Sequence, residues 1–180
     1  VIGFGARALG EVKPKYLNSP ESPSFVKKTV LYGWSRARKA ARRGLPVIVV
    51  EGYMDVIAVS SSGVAAAVAP LGTALGEDQF RLLWKLSNDP VLCFDGDKAG
   101  QIAAQRAIER VLPLLEPGRS VRLAVLPEGQ DPDDILRQKG PDGLRRILSA
   151  ATGLLDSLWA SKAADYHLDN PRTRAGAKAA

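Results

Sequence analysis

The stretch Val91-Leu92-Cys93-Phe94-Asp95-Gly96-Asp97-Lys98-Ala99-Gly100 constrains this chain more than any other. An apolar run of strand length stops at two aspartates one residue apart, and an Ala-rich helical pattern follows. In an open α/β sheet, ligands bind outside the carboxyl ends of the strands. Two acids at such an end face the crevice where chemistry is done. Extended chain puts residues i and i+2 on one side. Extension past Phe94 would therefore turn the carboxylates of Asp95 and Asp97 together. Two unit charges about 4 Å apart repel by roughly 4 kcal/mol at an effective dielectric of 20. A hard divalent cation relieves that repulsion, and Mg²⁺ is the default where phosphate is also handled. A plain polar turn uses the same residue types, so the rest of the chain has to decide.

The surrounding pattern is regular. Residues 46–50 form an uninterrupted apolar run, as in a parallel strand buried on both faces, and stop at Glu51-Gly52. Residues 53–60 read as a helix, 64–69 as an Ala-rich strand, and 77–86 as a helix with Phe80, Leu83 and Trp84 on one face. Residues 99–112 keep helical spacing until Pro113 distorts the last turn, and 121–126 read as a further strand. A second acidic loop follows, with Asp131 before Pro132 and then Asp133 and Asp134. Acids there also suit a helix start, the reading preferred for Asp134. Strands alternating with helices predict an α/β fold, a mostly parallel Rossmann-like sheet with helices on both faces. Glu51, the Asp95/Asp97 pair and Asp131/Asp133 then terminate strands on one edge. Convergence of acids from separate strand ends predicts a divalent-metal site.

The flanks differ from this middle. Residues 1–44 read as a small mixed α/β piece, 45–128 as the sheet domain, and 129–180 as a helical segment with a frayed tail. Residues 1–10 suggest two short strands around a glycine turn. Residues 14–20, fenced by Pro14 and Pro20, suggest an ordered loop. Residues 34–43 are helical and strongly basic, with Gly44 as the stop. That helix presents either a solvated face or a nucleic-acid contact. Leu155, Leu158 and Trp159 continue the apolar pattern of the helical segment.

The charge balance bears on partners. Among 180 residues, 25 Lys and Arg oppose 19 Asp and Glu, a net charge of +6. A basic chain with clustered acids suggests a polyanionic partner, the acids being reserved for metal. The single cysteine, Cys93, sits in an apolar run; it permits neither an internal disulfide nor a Cys-based zinc site. The single histidine, His167, reads as solvated. No apolar stretch is long enough to span a bilayer, and no signal peptide is visible. The start at Val1 suggests a segment of something longer.

Glutamate after one buried strand and Asp-x-Asp after another resemble the TOPRIM domain. Glu51-Gly52-Tyr53-Met54-Asp55-Val56, Leu71-Gly72-Thr73-Ala74-Leu75 and Phe94-Asp95-Gly96-Asp97-Lys98-Ala99-Gly100 resemble the version found in bacterial DnaG-type primases. Val1-Ile2-Gly3-Phe4-Gly5-Ala6-Arg7, Pro14-Lys15-Tyr16-Leu17-Asn18-Ser19-Pro20-Glu21 and Gln130-Asp131-Pro132-Asp133 are similar to flanking parts of the same family. Ala6 stands where that family usually has glycine, and Gly76 where it tends to threonine.

The resemblance implies metal-dependent synthesis of short RNA primers on single-stranded DNA from ribonucleoside triphosphates. Glu51, Asp95 and Asp97 would be catalytic and metal-binding, with Mg²⁺ as the ion and Mn²⁺ able to substitute. Asp131 and Asp133 would bind a further ion or orient the first. Asp55 would support the ligands from behind. Arg7, Lys15, Tyr16, Asn18 and Lys27 would hold nucleotide phosphates or the RNA–DNA primer-template. The resemblance further implies a bacterial cytoplasmic protein at the replication fork. Its replicative helicase would dock through a domain absent from this stretch, as is the family's zinc-binding domain. Two alternatives stay open: a TOPRIM nuclease or topoisomerase-like fragment, and a non-catalytic nucleic-acid-binding module.

Overall fold

The computed structural model describes residues 1–8, 16–72 and 74–165. A two-stranded antiparallel ribbon comes first, β1 (Gly5–Arg7) with β2 (Tyr16–Asn18). A 3-10 turn (Lys27–Thr29) leads to α1 (Trp34–Ala41). Gly44, at φ +87°, ends the turn after α1 in the left-handed region that only glycine adopts readily. The main unit follows: β3 (Val47–Val49), α2 (Tyr53–Ser62), β4 (Ala66–Val68), α3 (Glu77–Leu83), β5 (Val91–Phe94), α4 (Lys98–Val111) and β6 (Arg122–Val125). It closes with α5 (Pro132–Ser149), β7 (Thr152–Gly153) and α6 (Leu154–Asp165). α5 is broken at Gly140, whose φ of +64° and following Pro141 interrupt the helical course.

The sheet runs in the order β4-β3-β5-β6-β7. β4, β3, β5 and β6 are parallel, and only β7 is antiparallel. Strand alternation splits the core in two. Val47, Val49, Leu92 and Leu123 join Ala37, Phe80, Leu83, Ala107, Ile108 and Val111 in one layer. Ile48, Val50, Val91, Cys93 and Ala124 join Val56, Val59, Ile135, Leu144 and Leu148 in the other. Thus α1, α3 and α4 cover one face, and α2 and α5 the other. The chain leaves β3 toward β4 through α2, and leaves β5 toward β6 through α4, on opposite faces. The winding direction therefore reverses between β3 and β5, where open α/β sheets bind ligands.

Several features depart from the local reading. Among the described residues, 16–20 of the expected loop hold β2, and 1–8 hold one strand, β1, paired with it; residues 9 and 10 of the expected strand pair lie outside the described residues. The segment after residue 129, read as helical, contributes β7 to the sheet edge as well. Leu155 and Trp159 are 75% and 69% exposed, and only Leu158 of that apolar set packs on the core. Gln79 is fully buried although polar. Its Nε2 donates to the carbonyls of Lys27 and Val30, and its Oε1 accepts from the Gly76 N–H. That side chain ties the 3-10 turn to the start of α3, and its own buried amide is matched at both ends.

Candidate functional site

Glu51 stands just past β3 and Asp95 just past β5, on the two sides of the reversal point. Glu51 Oε1 accepts the Asp95 backbone N–H at 3.0 Å, so one carboxylate bridges the two strand ends. Asp55 lies in the first turn of α2, is 7% exposed, and accepts the Gly52 N–H through Oδ2 at 3.2 Å. Asp131 caps α5, its Oδ1 accepting the Asp134 N–H at 2.7 Å. Asp133 follows within the first turn of α5, 3.8 Å from Arg137 Nε. Glu51, Asp55, Asp95, Asp131 and Asp133 line one cleft of about 370 Å³. Arg7, Tyr16 and Asn18 line it too.

The electrostatics of this cleft are dominated by acids facing acids. Burial, then Glu51, Asp55, Asp131 and Asp97 in turn, push the Asp95 carboxyl up to about 7. Burial and then Asp131 push Asp55 up to about 6. Asp95 Oδ1 is closed off from solvent and accepts no hydrogen bond among the described residues. A buried carboxylate oxygen without a donor is costly, and a hard cation is the partner that oxygen-only donors suit. The donor chemistry thus fits a divalent ion. Among the described residues no three carboxylates already stand at coordination spacing.

The raised values have a consequence for stability. A carboxyl whose folded value lies above its unfolded value, near 3.9 for aspartate, stabilises the fold at low pH and loses that contribution as pH rises through the folded value. In chelator, Asp95→Asn and the parent should therefore unfold at similar temperatures only at about pH 4, near the unfolded value, and diverge from there up to about pH 7. By pH 8 the variant should be the more stable. Thermal unfolding at both pH values checks this; a difference that shrinks with rising pH contradicts it.

Asp97 stands at the edge of this group. It is exposed, does not line the cleft, and exerts the weakest of the four acidic influences on Asp95. Its Oδ1 instead accepts the Gly100 N–H at 2.7 Å, capping α4. Asp97→Ala should cost about 1 kcal/mol of stability through loss of this cap. Asp97→Asn should stay within a few tenths of the parent, because asparagine caps as well as aspartate. Urea unfolding distinguishes the two; equal losses would remove capping as the cause.

The same cleft also carries aromatic and cationic groups. Arg7 lies over the Tyr16 ring at 6.0 Å, and Tyr16 meets Tyr53 edge-on at 5.1 Å. The Tyr53 hydroxyl donates to the Ala6 carbonyl, pinning β1 to the start of α2. Asn18 Oδ1 is buried and accepts no hydrogen bond among the described residues. Lys27 lies on the 3-10 turn and does not line the cleft. Lys15 falls outside the described residues. The sequence reading passes over Tyr53. Its only signal was an aromatic residue two positions after the strand-end glutamate.

Comparison with known proteins agrees with this geometry. The family model described as "Toprim domain" matches residues 46–124, and that described as "DNA primase catalytic core, N-terminal domain" matches residues 1–38. A DNA primase of Pseudomonas aeruginosa is 50% identical over 157 residues, covering 87% of this chain and 24% of the relative. The chain thus spans about a quarter of that relative's length. A crystal structure of a DNA primase domain from Pseudomonas aeruginosa superposes with a TM-score of 0.92 at 44% identity, covering 98% of this chain and 56% of that one. A DnaG primase catalytic domain bound to ssDNA superposes with a TM-score of 0.87 at 42% identity, covering 97% and 55%. With both family models matched in order and the full sheet superposed, the chain belongs to the bacterial DnaG-type DNA primase family, as a stretch of its catalytic core.

Proposed function

We propose that this chain supplies the metal-binding half of a primase active site, in a protein that joins ribonucleotides into RNA primers on single-stranded DNA. The observation that carries the reading is that one cleft is lined both by acids and by cationic, aromatic and amide groups. Glu51, Asp55, Asp95, Asp131 and Asp133 face it, and Arg7, Tyr16 and Asn18 line it too. Glu51 and Asp95 would hold Mg²⁺, or Mn²⁺ in its place, with Asp131 and Asp133 holding a further ion or orienting the first pair. Asp97 would join through the carboxylate oxygen not used in capping. An ion held there would supply Lewis-acid stabilisation of the phosphoryl charge that develops during transfer. Arg7 suits bidentate contact with a phosphate, and Tyr16 and Asn18 offer a ring edge and an amide to the same nucleotide. Asp55, locked on Gly52, keeps the start of α2 in place beneath Glu51. Lys27, outside the cleft, and Lys15 would meet nucleic acid as point charges.

The test is synthesis by the full-length protein given single-stranded template, labelled ribonucleotides and Mg²⁺ or Mn²⁺. Short labelled RNA is the expected product. A shortened template would instead identify a nuclease, and nucleic-acid binding with neither product would identify a non-catalytic module.

A further inference from the structure

Residues 22–50 hold seven Lys and Arg residues and no Asp or Glu, whereas the rest of the chain holds eighteen against nineteen. The whole positive excess of the chain therefore comes from this stretch, and five of its seven cations fall on α1 and the turn after it. Arg36, Arg38, Lys39, Arg42 and Arg43 are all exposed. The inner face of α1 is made of Ala37, which is buried, with Trp34, Ala40 and Ala41 packed against the core. At 100° per residue the five cations fan over the outward side of the helix. Among the described residues none of them makes an ion pair or a side-chain hydrogen bond.

Helix stability does not account for this arrangement. Cations in and just past the last turn offset the helix dipole, which covers Arg38, Lys39, Arg42 and Arg43 but not Arg36. Arg36 lies in the first turn, where a positive charge is unfavourable. Arg38 with Arg42 and Lys39 with Arg43 are like-charge neighbours at i,i+4, a spacing that destabilises a helix. Solubility alone would be served by mixed signs, as on α3, where Glu77 and Arg81 pair. A row of unpaired cations on a firmly packed helix is complementary to a phosphate backbone. Single strands are gripped by cations interleaved with stacking aromatics, and the one aromatic of α1, Trp34, is packed inward. Charge without a stacking surface suits a duplex, whose phosphates are already ordered.

We propose that the outer face of α1 is a second, sequence-independent docking surface that holds the backbone of double-helical nucleic acid, the template with its new primer, away from the acidic cleft. This rests on the primase reading above. The experiment uses the full-length primase with Arg38, Lys39, Arg42 and Arg43 all changed to Gln, and a short RNA–DNA duplex and a single strand as separate probes. Binding is measured by fluorescence anisotropy across a salt series. Each lost duplex contact lowers the slope of log K against log salt by about 0.9. The expected result is a slope shallower by about 2 to 4 and duplex affinity at least tenfold weaker at low salt. Single-strand affinity should change less than about twofold.

The variant's melting temperature should hold or rise, since like-charge crowding is removed; a merely structural role predicts a fall. The Arg38→Lys, Arg42→Lys, Arg43→Lys triple variant keeps the charge and should keep the parent slope. An unchanged duplex slope in the quadruple variant, when the parent binds and primes, overturns this inference alone. A loss confined to the single strand overturns it as well. A parent that neither binds nor primes overturns the primase reading, and this surface with it.

Discussion

Full-length primase carrying Asp95→Asn is expected to lose primer synthesis by on the order of 10³-fold, while its metal-free form unfolds at no lower a temperature than the parent at pH 8. The first effect follows from position. Asp95 sits past β5 at the winding reversal, its N–H held by Glu51 and its Oδ1 without a donor among the described residues. Asparagine keeps the shape and removes the charge. If the carboxylate holds the ion, the transition state loses several kcal/mol of charge stabilisation, and about 1.4 kcal/mol is a decade of rate. The second effect has the opposite sign because the substituted charge is crowded by Glu51, Asp55 and Asp131. Misfolding would lower both activity and melting temperature, so the two readouts together isolate the metal role. Activity within tenfold of the parent would defeat the assignment of Asp95 as a ligand.

The parts of this site that were legible in the sequence are those that local pattern determines. β3 and β5 are buried on both faces, so they appear as unbroken apolar runs, and the acid that stops each run marks its carboxyl end. Once strands alternate with helices, the parallel sheet and its ligand edge follow. What was not legible depends on pairing across distance or on a choice between two local roles. β2 hides between prolines because its hydrogen bonds go to β1, 9 to 13 residues earlier, rather than following a local period. β7 is two residues long and has no period to read. Asp97 could join Asp95 or cap α4, and the helix N-terminus, with its free N–H groups, takes its Oδ1. Gln79 reads as a surface residue until two carbonyls of a distant turn claim its amide. Lys27 matched a family position but stands outside the cleft, because that same amide holds its backbone against α3.

Gly96→Ala is expected to lower stability by about 3 kcal/mol, near the upper end for overpacking, and to melt the protein roughly 10 °C earlier on the scaling for domains of this size. The reason is space. Gly96 has no positive φ, so an alanine could adopt its backbone angles. Its added Cβ would lie 1.9 Å from the Pro127 carbonyl oxygen, 2.5 Å from that carbonyl carbon and 2.8 Å from the Leu126 oxygen. All three are backbone atoms, so no side chain can swing aside. The turn after β5 and the turn after β6 must separate, which strains the bond from the Gly96 N–H to the Gln130 carbonyl at 3.2 Å. That contact is also what sets the spacing between Asp95 on one turn and Asp131 on the other. A displacement near 1 Å at a reacting centre can cost about 10²-fold in rate, so the surviving folded fraction should be slow as well as scarce. Calorimetry and primer synthesis normalised to folded protein separate the two losses. A variant that melts within 2 °C of the parent and primes at the parent rate would show that the turns do not need this close approach, and that the spacing of the acids is set elsewhere.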